Sequence, residues 1–467
     1  MTIDVLPNDV LLAIFDFYVL KYQDLVLLAF GGHNTKRSIE SWQSLVHVCR
    51  RWRELVFGSP RRLNLQLFCI PGTSARNTLD VWPALPLLIQ GIVSEASVDN
   101  VVAELEHSDR IIQINLNCHT TSQIEKLWTT MQVPFPELSV LCLSFGGLSY
   151  MPVLPDSFLG QSAPRLRYLT LTSIPFPGLP KLLLSATHLV NLWLVNIPHS
   201  GYISPEAMAT CLSMLTSLTT LQLEFESPQS GPDFKIRRPF PTTRSILPSL
   251  TDFWFKGVNE YLEEFVARID APRFYQLSIT FFSDTEFNTP ELIRFINRSS
   301  TFKALNEAHV VFDSHLTWVN FQSQAPYLKH FEVKISCREP DWQLSSLTQI
   351  CTSSSPLLSA IGSLFIYEPM DSQLDWKDGI ENIEWLELLL PFTAVKSLYL
   401  SKQFAPRIAP ALQETAEGGT TEVLPNLQSL YLEGFQPSES VQEGIRQFIS
   451  ARQLTDRPVA ISIWERY

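Results

Sequence analysis

At 467 residues, the chain is longer than one compact core allows, which predicts about two to four domains. Its hydrophobic share of 45% and aromatic share of 11% exclude disorder over most of its length. Its formal net charge of -12 argues against nucleic acid as the main partner, because phosphate binding needs a basic surface.

The first twenty residues are largely apolar, but their pattern predicts neither a signal peptide nor a membrane span. No basic segment precedes the apolar run, and Asp4, Asp9 and Asp16 interrupt it. The seven cysteines are odd in number, and none are spaced as Cys-x-x-Cys, which is typical of reduced thiols inside a cell. We therefore expect an intracellular protein, cytoplasmic and/or nuclear.

Two amphipathic helices are predicted in the first sixty residues. Pro7 suits the first turn of the earlier helix, whose apolar residues are Val10, Leu11, Ile14, Phe15 and Tyr18. A polar, glycine-containing stretch, "GGHNTKRS", predicts a loop after it.

The second helix is predicted to begin at Ser41 or Ser44 and to end before Gly58. Its apolar stripe follows helical spacing and comprises Leu45, Val48, Cys49, Trp52, Leu55 and Val56. The three arginines beside that stripe, Arg50, Arg51 and Arg53, are interpreted as solvated flanks rather than a grip for nucleic acid.

Both halves of this region together resemble an F-box. The resemblance covers residues 3–65 and rests on Leu6-Pro7, on Leu11, Ile14 and Phe15, and on "VCRRWRELV". The amino-acid sequence of this region is similar to that of F-box proteins of mushroom-forming fungi. Residues 20–40 form a longer insert between the two halves of the motif than the common pattern has. The resemblance implies docking on the Skp adaptor of SCF-type ubiquitin ligases, and through it on a cullin.

Carried over to this sequence, the resemblance implies eight adaptor-binding residues. They are Leu6, Pro7, Leu11, Ile14, Phe15, Val48, Cys49 and Trp52. The alternative is that several of them form the core of the helical module itself. For Trp52, the sequence is compatible with a role in the core and with a role in the interface.

From residue 110 onward, one pattern recurs: apolar-x-x-apolar-x-apolar. Ten copies are "RIIQINLN", "PELSVLCLS", "PRLRYLTLT", "THLVNLWLV", "TSLTTLQLE", "PSLTDFWFK", "PRFYQLSIT", "PYLKHFEVK", "TAVKSLYLS" and "PNLQSLYLE". Weaker copies lie at Phe302–Leu305 and at Ile361, Leu364 and Ile366. Their spacing of about 23 to 34 residues is near or above the upper part of the leucine-rich-repeat range.

The alternating core of each copy predicts a short strand, and helical spacing between copies predicts one helix per unit. Stacked in parallel, such units form an α/β leucine-rich-repeat-like solenoid, with parallel β-strands on a concave face and helices outside. The predicted domains are 1–65, the F-box module; 66–108, a junction and N-terminal cap; and 109–467, the solenoid with its C-terminal cap.

A candidate substrate-binding surface follows from the strand pattern. The residue between the two inward positions of a strand points to the concave face, and five such residues are aromatic: Trp193, Trp254, Phe365, Tyr399 and Tyr431. Exposed aromatic residues are over-represented among interface hot spots. The alternative is that insertions fold over these side chains and bury them.

No catalytic constellation is present in the sequence. It contains no zinc motif, nucleotide-binding glycine loop or nucleophile elbow, and Cys118-His119 lacks an orienting acidic partner. We therefore expect no enzyme, cofactor or metal site, and no nucleic-acid or membrane partner. The expected function is a substrate receptor of an SCF-type E3 ubiquitin ligase that captures a protein; the alternative is a ligase-independent interaction scaffold.

Overall fold

The computed structural model describes residues 6–27, 41–75, 79–147, 152–228, 243–282, 289–299, 302, 305–323, 330–336, 340–353, 358–369, 382–414, 423–434, 439–454 and 456–465. Over these residues the fold is mixed α/β with a large, mostly parallel sheet. The chain divides into two compact units, Met1–Tyr202 and Ile203–Tyr467.

The first unit begins with three helices: α1 (Asn8–Leu27), α2 (Ser41–Val46) and α3 (Arg50–Phe57). The prediction of one continuous second helix is wrong, because the chain leaves the helix between Val46 and Arg50. Cys49 adopts an extended conformation there, and its carbonyl accepts the Arg53 amide at 3.1 Å, which starts α3.

Six strands follow in the first unit and pair in parallel in chain order: β1 (Leu67–Cys69), β2 (Leu87–Ile92), β3 (Ile111–Cys118), β4 (Val140–Phe145), β5 (Tyr168–Thr172) and β6 (Asn191–Ile197). Between them lie α4 (Val98–Leu105), α5 (Thr121–Thr130) and α6 (Leu179–Leu183). The first two strands lie in the segment interpreted as a junction, and both belong to the same sheet as β3.

The described residues of the second unit form twelve strands: β7 (Thr220–Phe225), β8 (Ser245–Ile246), β9 (Asp252–Gly257), β10 (Ile269–Asp270), β11 (Gln276–Phe282), β12 (Glu307–Phe312), β13 (Leu316–Gln322), β14 (His330–Ser336), β15 (Ser363–Tyr367), β16 (Ser397–Leu400), β17 (Ser429–Glu433) and β18 (Ala460–Trp464). Its helices are α7 (Pro205–Leu212), α8 (Asn259–Val266), α9 (Pro290–Arg298), α10 (Pro340–Ser353), α11 (Asn382–Leu389), α12 (Ala405–Glu414) and α13 (Glu439–Leu454). The short strands β8 and β10 pair only with each other in the described part of the chain.

The ten clear sequence copies coincide with strands β3, β4, β5, β6, β7, β9, β11, β14, β16 and β17, so the strand prediction is confirmed. The weaker copy around Leu364 coincides with β15. The weak copy at Phe302–Leu305 is not a strand at its described positions; β12 begins two residues later, at Glu307.

The sheet departs from uniform parallel stacking at one place in the second unit. Strand β14, not β12, pairs with β11, and β13 runs antiparallel between β14 and β12. Only three residues separate β12 from β13, which allows a hairpin but no crossover helix. The Asp313 amide donates to the Leu316 carbonyl at 2.9 Å and closes the turn. The prediction that all strands are parallel is therefore wrong at β13.

Side chains alternate along each strand between a buried and a more exposed face. On β9, Phe253 and Phe255 are buried and contact Phe265 and Tyr261 of α8, with ring centroids 5.6 and 5.9 Å apart. The residue between them, Trp254, is half-buried on the other face. We call this other side of the second unit's sheet, opposite its helices, the open face.

Candidate functional site

The helical module at the start of the first unit has its own aromatic core. Leu11 and Phe15 of α1 are fully buried, and the Phe15 and Trp52 rings lie 4.7 Å apart between centroids. Trp42 of α2 is also fully buried, and its indole Nε1 donates to the Gln66 carbonyl at 3.0 Å. The core therefore fixes the three helices and ties them to the residue preceding β1.

The eight predicted adaptor-binding residues thus divide into two groups. Leu11, Phe15 and Trp52 are buried in the core of the module, so they support the surface rather than form it. The other five reach the surface: Pro7, Ile14 and Val48 are exposed, and Leu6 and Cys49 are half-buried.

Helix α1 also presents an apolar stripe on the side opposite its core. The residues, spaced at i, i+4, i+7 and i+8, are Val10, Ile14, Phe17 and Tyr18. All four are exposed, and Phe17 is 73% exposed. We call this set the α1 stripe. Phe17 did not emerge from the sequence because the apolar pattern of α1 extends around most of the helix, which hides which side is buried.

Two of the three arginines hold the module together. The Arg51 guanidinium donates to the Leu6 carbonyl at 2.6 Å and to Asn8 Oδ1 at 2.7 Å, which fixes the start of α1. Arg53 Nε donates to the Val46 carbonyl at 3.0 Å at the end of α2. The interpretation as solvated flanks therefore holds for the exposed Arg50, which pairs with Glu54, and for the exposed Arg53, whereas Arg51 is half-buried and has a structural role.

Replacing Arg51 with alanine is expected to destabilise the first turn of α1 by about 1–2 kcal/mol, because charge-assisted hydrogen bonds to two partners are lost. Hydrogen exchange of the α1 amides measures this effect as faster exchange. The matched control is Arg50→Ala, which removes an exposed i,i+4 pair. Equal exchange in the two variants would contradict the role given to Arg51.

Four aromatic side chains stack on the open face of the second unit. His309, Phe365, Tyr399 and Tyr431 stand in register on β12, β15, β16 and β17. Successive ring centroids are 4.3, 4.1 and 4.3 Å apart, and neighbouring planes deviate by 2°, 11° and 6°. We call this row the ring ladder. Its spacing is shorter than the roughly 4.8 Å between strands, so the rings lean together.

Trp464 of β18 packs its edge on the ring ladder. Its centroid lies 5.6 Å from that of Tyr399 and 5.9 Å from that of Phe365. Burial raises the pKa of the Tyr399 hydroxyl above its usual value, with a further contribution from Tyr431, and burial lowers the pKa of His309. Both shifts favour uncharged rings at neutral pH.

The structure brings together three of the five predicted substrate-binding residues, Phe365, Tyr399 and Tyr431. Trp254 lies in the same register row, separated from His309 by residues of β11, β14 and β13. Trp193 is 36% exposed in the first unit, opposite Thr170. None of the five is fully buried: Trp193 is exposed, and the other four are half-buried.

His309 and Trp464 were missed by sequence reasoning. His309 lies on β12, where the segment "EAHVVF" lacks the leucine pattern and the spatial order of strands is inverted. Trp464 lies two residues after the position of β18 that is in register with the ring ladder, because Ser462, and not Trp464, pairs with Tyr431. The sequence marks ladder residues only by their repeated position in successive copies of the pattern, as for Phe365 and Tyr399. His309 and Trp464 do not occupy that position.

Two side chains of chemically reactive types, those of Cys118 and Glu263, have raised pKa values. Burial raises the pKa of the Cys118 thiol to about 12, which keeps it protonated beside His119. Burial also raises the pKa of Glu263 to about 7, and its carboxylate oxygens accept the Glu291 and Leu292 amides at 2.8 and 2.9 Å at the start of α9.

Among the residues that the structure describes, no group of three or more His, Cys, Asp or Glu side chains could hold a metal ion. Over the same part of the chain, no helix has the length and hydropathy needed to cross a membrane. The chain matches no protein-family model and no curated protein. The α1 stripe is a candidate site because its four apolar side chains are exposed together, and the ring ladder is a second one because its stacked rings lie on the open face.

Proposed function

We propose that this protein is a non-catalytic substrate receptor of an SCF-type E3 ubiquitin ligase. In this proposal the helical module is an F-box that binds the Skp adaptor through the α1 stripe. The open face of the sheet, as part of a leucine-rich-repeat-like solenoid, captures a protein substrate. The α1 stripe is the observation that carries the proposal, because apolar side chains exposed together on one helix are typical of a protein interface.

The module's internal contacts support this role. The Phe15 and Trp52 rings and the Arg51 hydrogen bonds hold α1 and α3 in a fixed arrangement. A rigid support lets Ile14 and Phe17 bind without a large loss of conformational entropy. Five of the eight residues implied by the F-box resemblance reach the surface beside these helices, whereas the other three form the core.

The proposed receptor acts by positioning. The adaptor holds the helical module, and the sheet holds the substrate, so a ligase partner supplies the chemistry while this chain raises the local concentration of substrate. The stacked rings of the ladder support the substrate half of the proposal, because they offer a large, rigid apolar area at low entropic cost.

The adaptor half is tested by placing a charge on the α1 stripe. Phe17→Asp is expected to lower co-purification of the Skp adaptor and cullin about tenfold or more, because a carboxylate would be desolvated in the interface. Ile14→Asp should act in the same direction. The matched control, Ser44→Asp, adds the same charge at an exposed position of α2.

The variants remain interpretable because Phe17 and Ile14 are exposed, so the circular dichroism spectrum and the unfolding midpoint should match the wild type. Undiminished adaptor capture by Phe17→Asp would show that the α1 stripe is not the docking surface. A wild-type chain that captures neither adaptor nor cullin would support a ligase-independent scaffold instead.

A further inference from the structure

The sheet of the first unit carries no charge on its strands. Strands β1 to β6 contain no aspartate, glutamate, lysine or arginine, whereas strands of the second unit carry charged residues such as Glu224, Lys256 and Lys334. The side chains of β2 to β6 that alternate with the buried ones form a surface that we call the polar face. Its amide and hydroxyl residues, all half-buried, are Gln90, Gln113, Asn115, Asn117, Ser144, Thr170, Thr172 and Asn191.

The amide side chains of the polar face retain unused hydrogen-bonding capacity. Gln90, Asn115 and Asn191 make no side-chain hydrogen bond to any residue that the structure describes, and the buried Oδ1 atom of Asn117 has no partner there either. Polar groups that are partly removed from water are normally paired. These amides are therefore placed to bond a ligand that both donates and accepts hydrogen bonds.

Two exposed aromatic side chains lie beside these amides. Tyr168 of β5 pairs with Asn191 of β6, and Thr170 pairs with Trp193, so Tyr168 and Trp193 are diagonal neighbours on adjacent strands. The strand spacing and rise place their Cα atoms about 8 Å apart. The two side chains are 40% and 36% exposed, so a ligand can reach both. The polar face thus offers flat apolar area next to amide and hydroxyl groups.

We propose that the polar face binds a neutral oligosaccharide, with one sugar ring packed on Trp193 and hydroxyl groups bonded to Asn191 and Asn115. A sugar hydroxyl both donates and accepts, so it pairs with either end of an amide, and the C–H face of a sugar ring packs on an aromatic ring. The register row from Trp193 to Gln90 crosses five strands, from β6 to β2. It is roughly 19 Å long, which suits a chain of several sugars.

The absence of charge favours this occupant over the alternatives. A charged ligand would lose its hydration without meeting an opposite charge on these strands. An apolar ligand would cover the amides and leave them without partners. An uncharged peptide brings only one backbone donor and one acceptor per residue. The inference goes beyond the proposed function, since neither the α1 stripe nor the ring ladder takes part in it.

The test is saturation-transfer difference NMR on the full-length protein with four neutral probes: maltohexaose, cellohexaose, mannohexaose and chitohexaose. At least one of them is expected to receive saturation and to bind at least about fivefold more tightly than hexagalacturonate, whose carboxylates would be desolvated on the polar face. Saturation transfer to none of the four would overturn the proposal. Equal affinity for hexagalacturonate, or for an uncharged Gly/Ser/Asn/Gln peptide, would overturn it as well.

Two variants locate the binding. Trp193→Ala removes the ring on which the sugar packs and is expected to weaken binding of the best probe at least about tenfold. Asn115→Asp places a charge in the uncharged row and should weaken binding at least about fivefold. The control Trp342→Ala removes an exposed tryptophan of the second unit, and the control Asn64→Asp adds the same charge in an exposed turn before β1. Both controls should bind within about twofold of the wild type.

Wild-type affinity in Trp193→Ala or in Asn115→Asp would overturn the polar face as the site, and so would an equal loss in a variant and its control. Trp193 is exposed, so the circular dichroism spectrum and unfolding midpoint of Trp193→Ala should match those of the wild type. Adaptor capture is a separate measurement. A chain that captures the adaptor but binds no sugar contradicts this inference alone, and the reverse result contradicts only the adaptor half of the proposed function.

Discussion

Replacing Glu104 with methionine is expected to stabilise the protein increasingly as the pH rises. Glu104 is 1% exposed on the buried side of α4, and its Oε2 atom has no hydrogen-bond partner among the described residues. Burial raises the pKa of this carboxyl to about 8, so folding keeps it protonated although the unfolded chain ionises it.

The raised pKa of Glu104 determines how the stability of the wild type changes with pH. A carboxyl whose pKa is higher in the folded state gives its full contribution below the unfolded pKa, and that contribution is lost as the pH rises toward the folded pKa. For Glu104 this window runs from about 4.5 to about 8. Methionine has a similar length and no charge, so the free energy of unfolding of Glu104→Met, relative to wild type, should increase by about 3 kcal/mol between pH 5 and pH 8.

Urea unfolding at pH 5, 6.5 and 8 measures this difference, and hydrogen exchange over α4 and β3 assigns it to the first unit. Glu106→Gln is the matched control, because Glu106 follows the same helix but is exposed. The control should unfold with the pH dependence of the wild type. A Glu104→Met protein with that same dependence would show that Glu104 is ionised in the folded state.

The strands of this protein could be predicted because their physical signal is local. An inward leucine two positions from another marks one buried face, and a preceding proline or polar turn marks the boundary, as in "PNLQSLYLE". The order of strands in the sheet is not local. Nothing in "EAHVVFDSHLTWVNF" distinguishes a hairpin followed by β14 from another parallel unit until the pairing of β13 is known.

The candidate sites were predictable to a similar extent. Phe365, Tyr399 and Tyr431 occupy the same position of successive copies, so register alone places them in one row. The eight residues taken from the F-box resemblance could not be divided into core and surface, since helical spacing gives the angle between residues but not the direction of the core. Burial of Phe15 and exposure of Phe17 settle that direction for α1.

Replacing Arg452 with methionine is expected to destabilise the last two strands of the second unit by about 3 kcal/mol. The substitution removes a buried charged donor, and several buried carbonyls then lose their hydrogen bonds. Arg452 of α13 is 5% exposed. Its guanidinium donates to the carbonyls of Leu424 at 2.7 Å, Val423 at 2.9 Å and Pro425 at 3.3 Å, in the turn that precedes β17.

The backbone of this turn is strained, so the loss of the Arg452 hydrogen bonds should have a large effect on stability. Leu424 has a φ of 49°, in the left-handed region that costs a branched side chain about 1 kcal/mol or more. The hydrogen bonds from Arg452 offset that strain and join α13 to the start of β17. The guanidinium carbon also lies 5.3 Å from the centroid of the Phe448 ring, so methionine loses this cation–π contact together with the three hydrogen bonds.

Hydrogen exchange over β17 and β18 measures the effect, with Arg446→Met as the control, because Arg446 is exposed on the same helix. The control should exchange like the wild type, whereas Arg452→Met should lose protection in both strands. The same strands carry Tyr431 and Trp464, so the variant should also loosen their contacts with Tyr399 in the ring ladder, as a consequence of local opening. Full protection in Arg452→Met would mean that apolar packing alone holds α13 and β17 together.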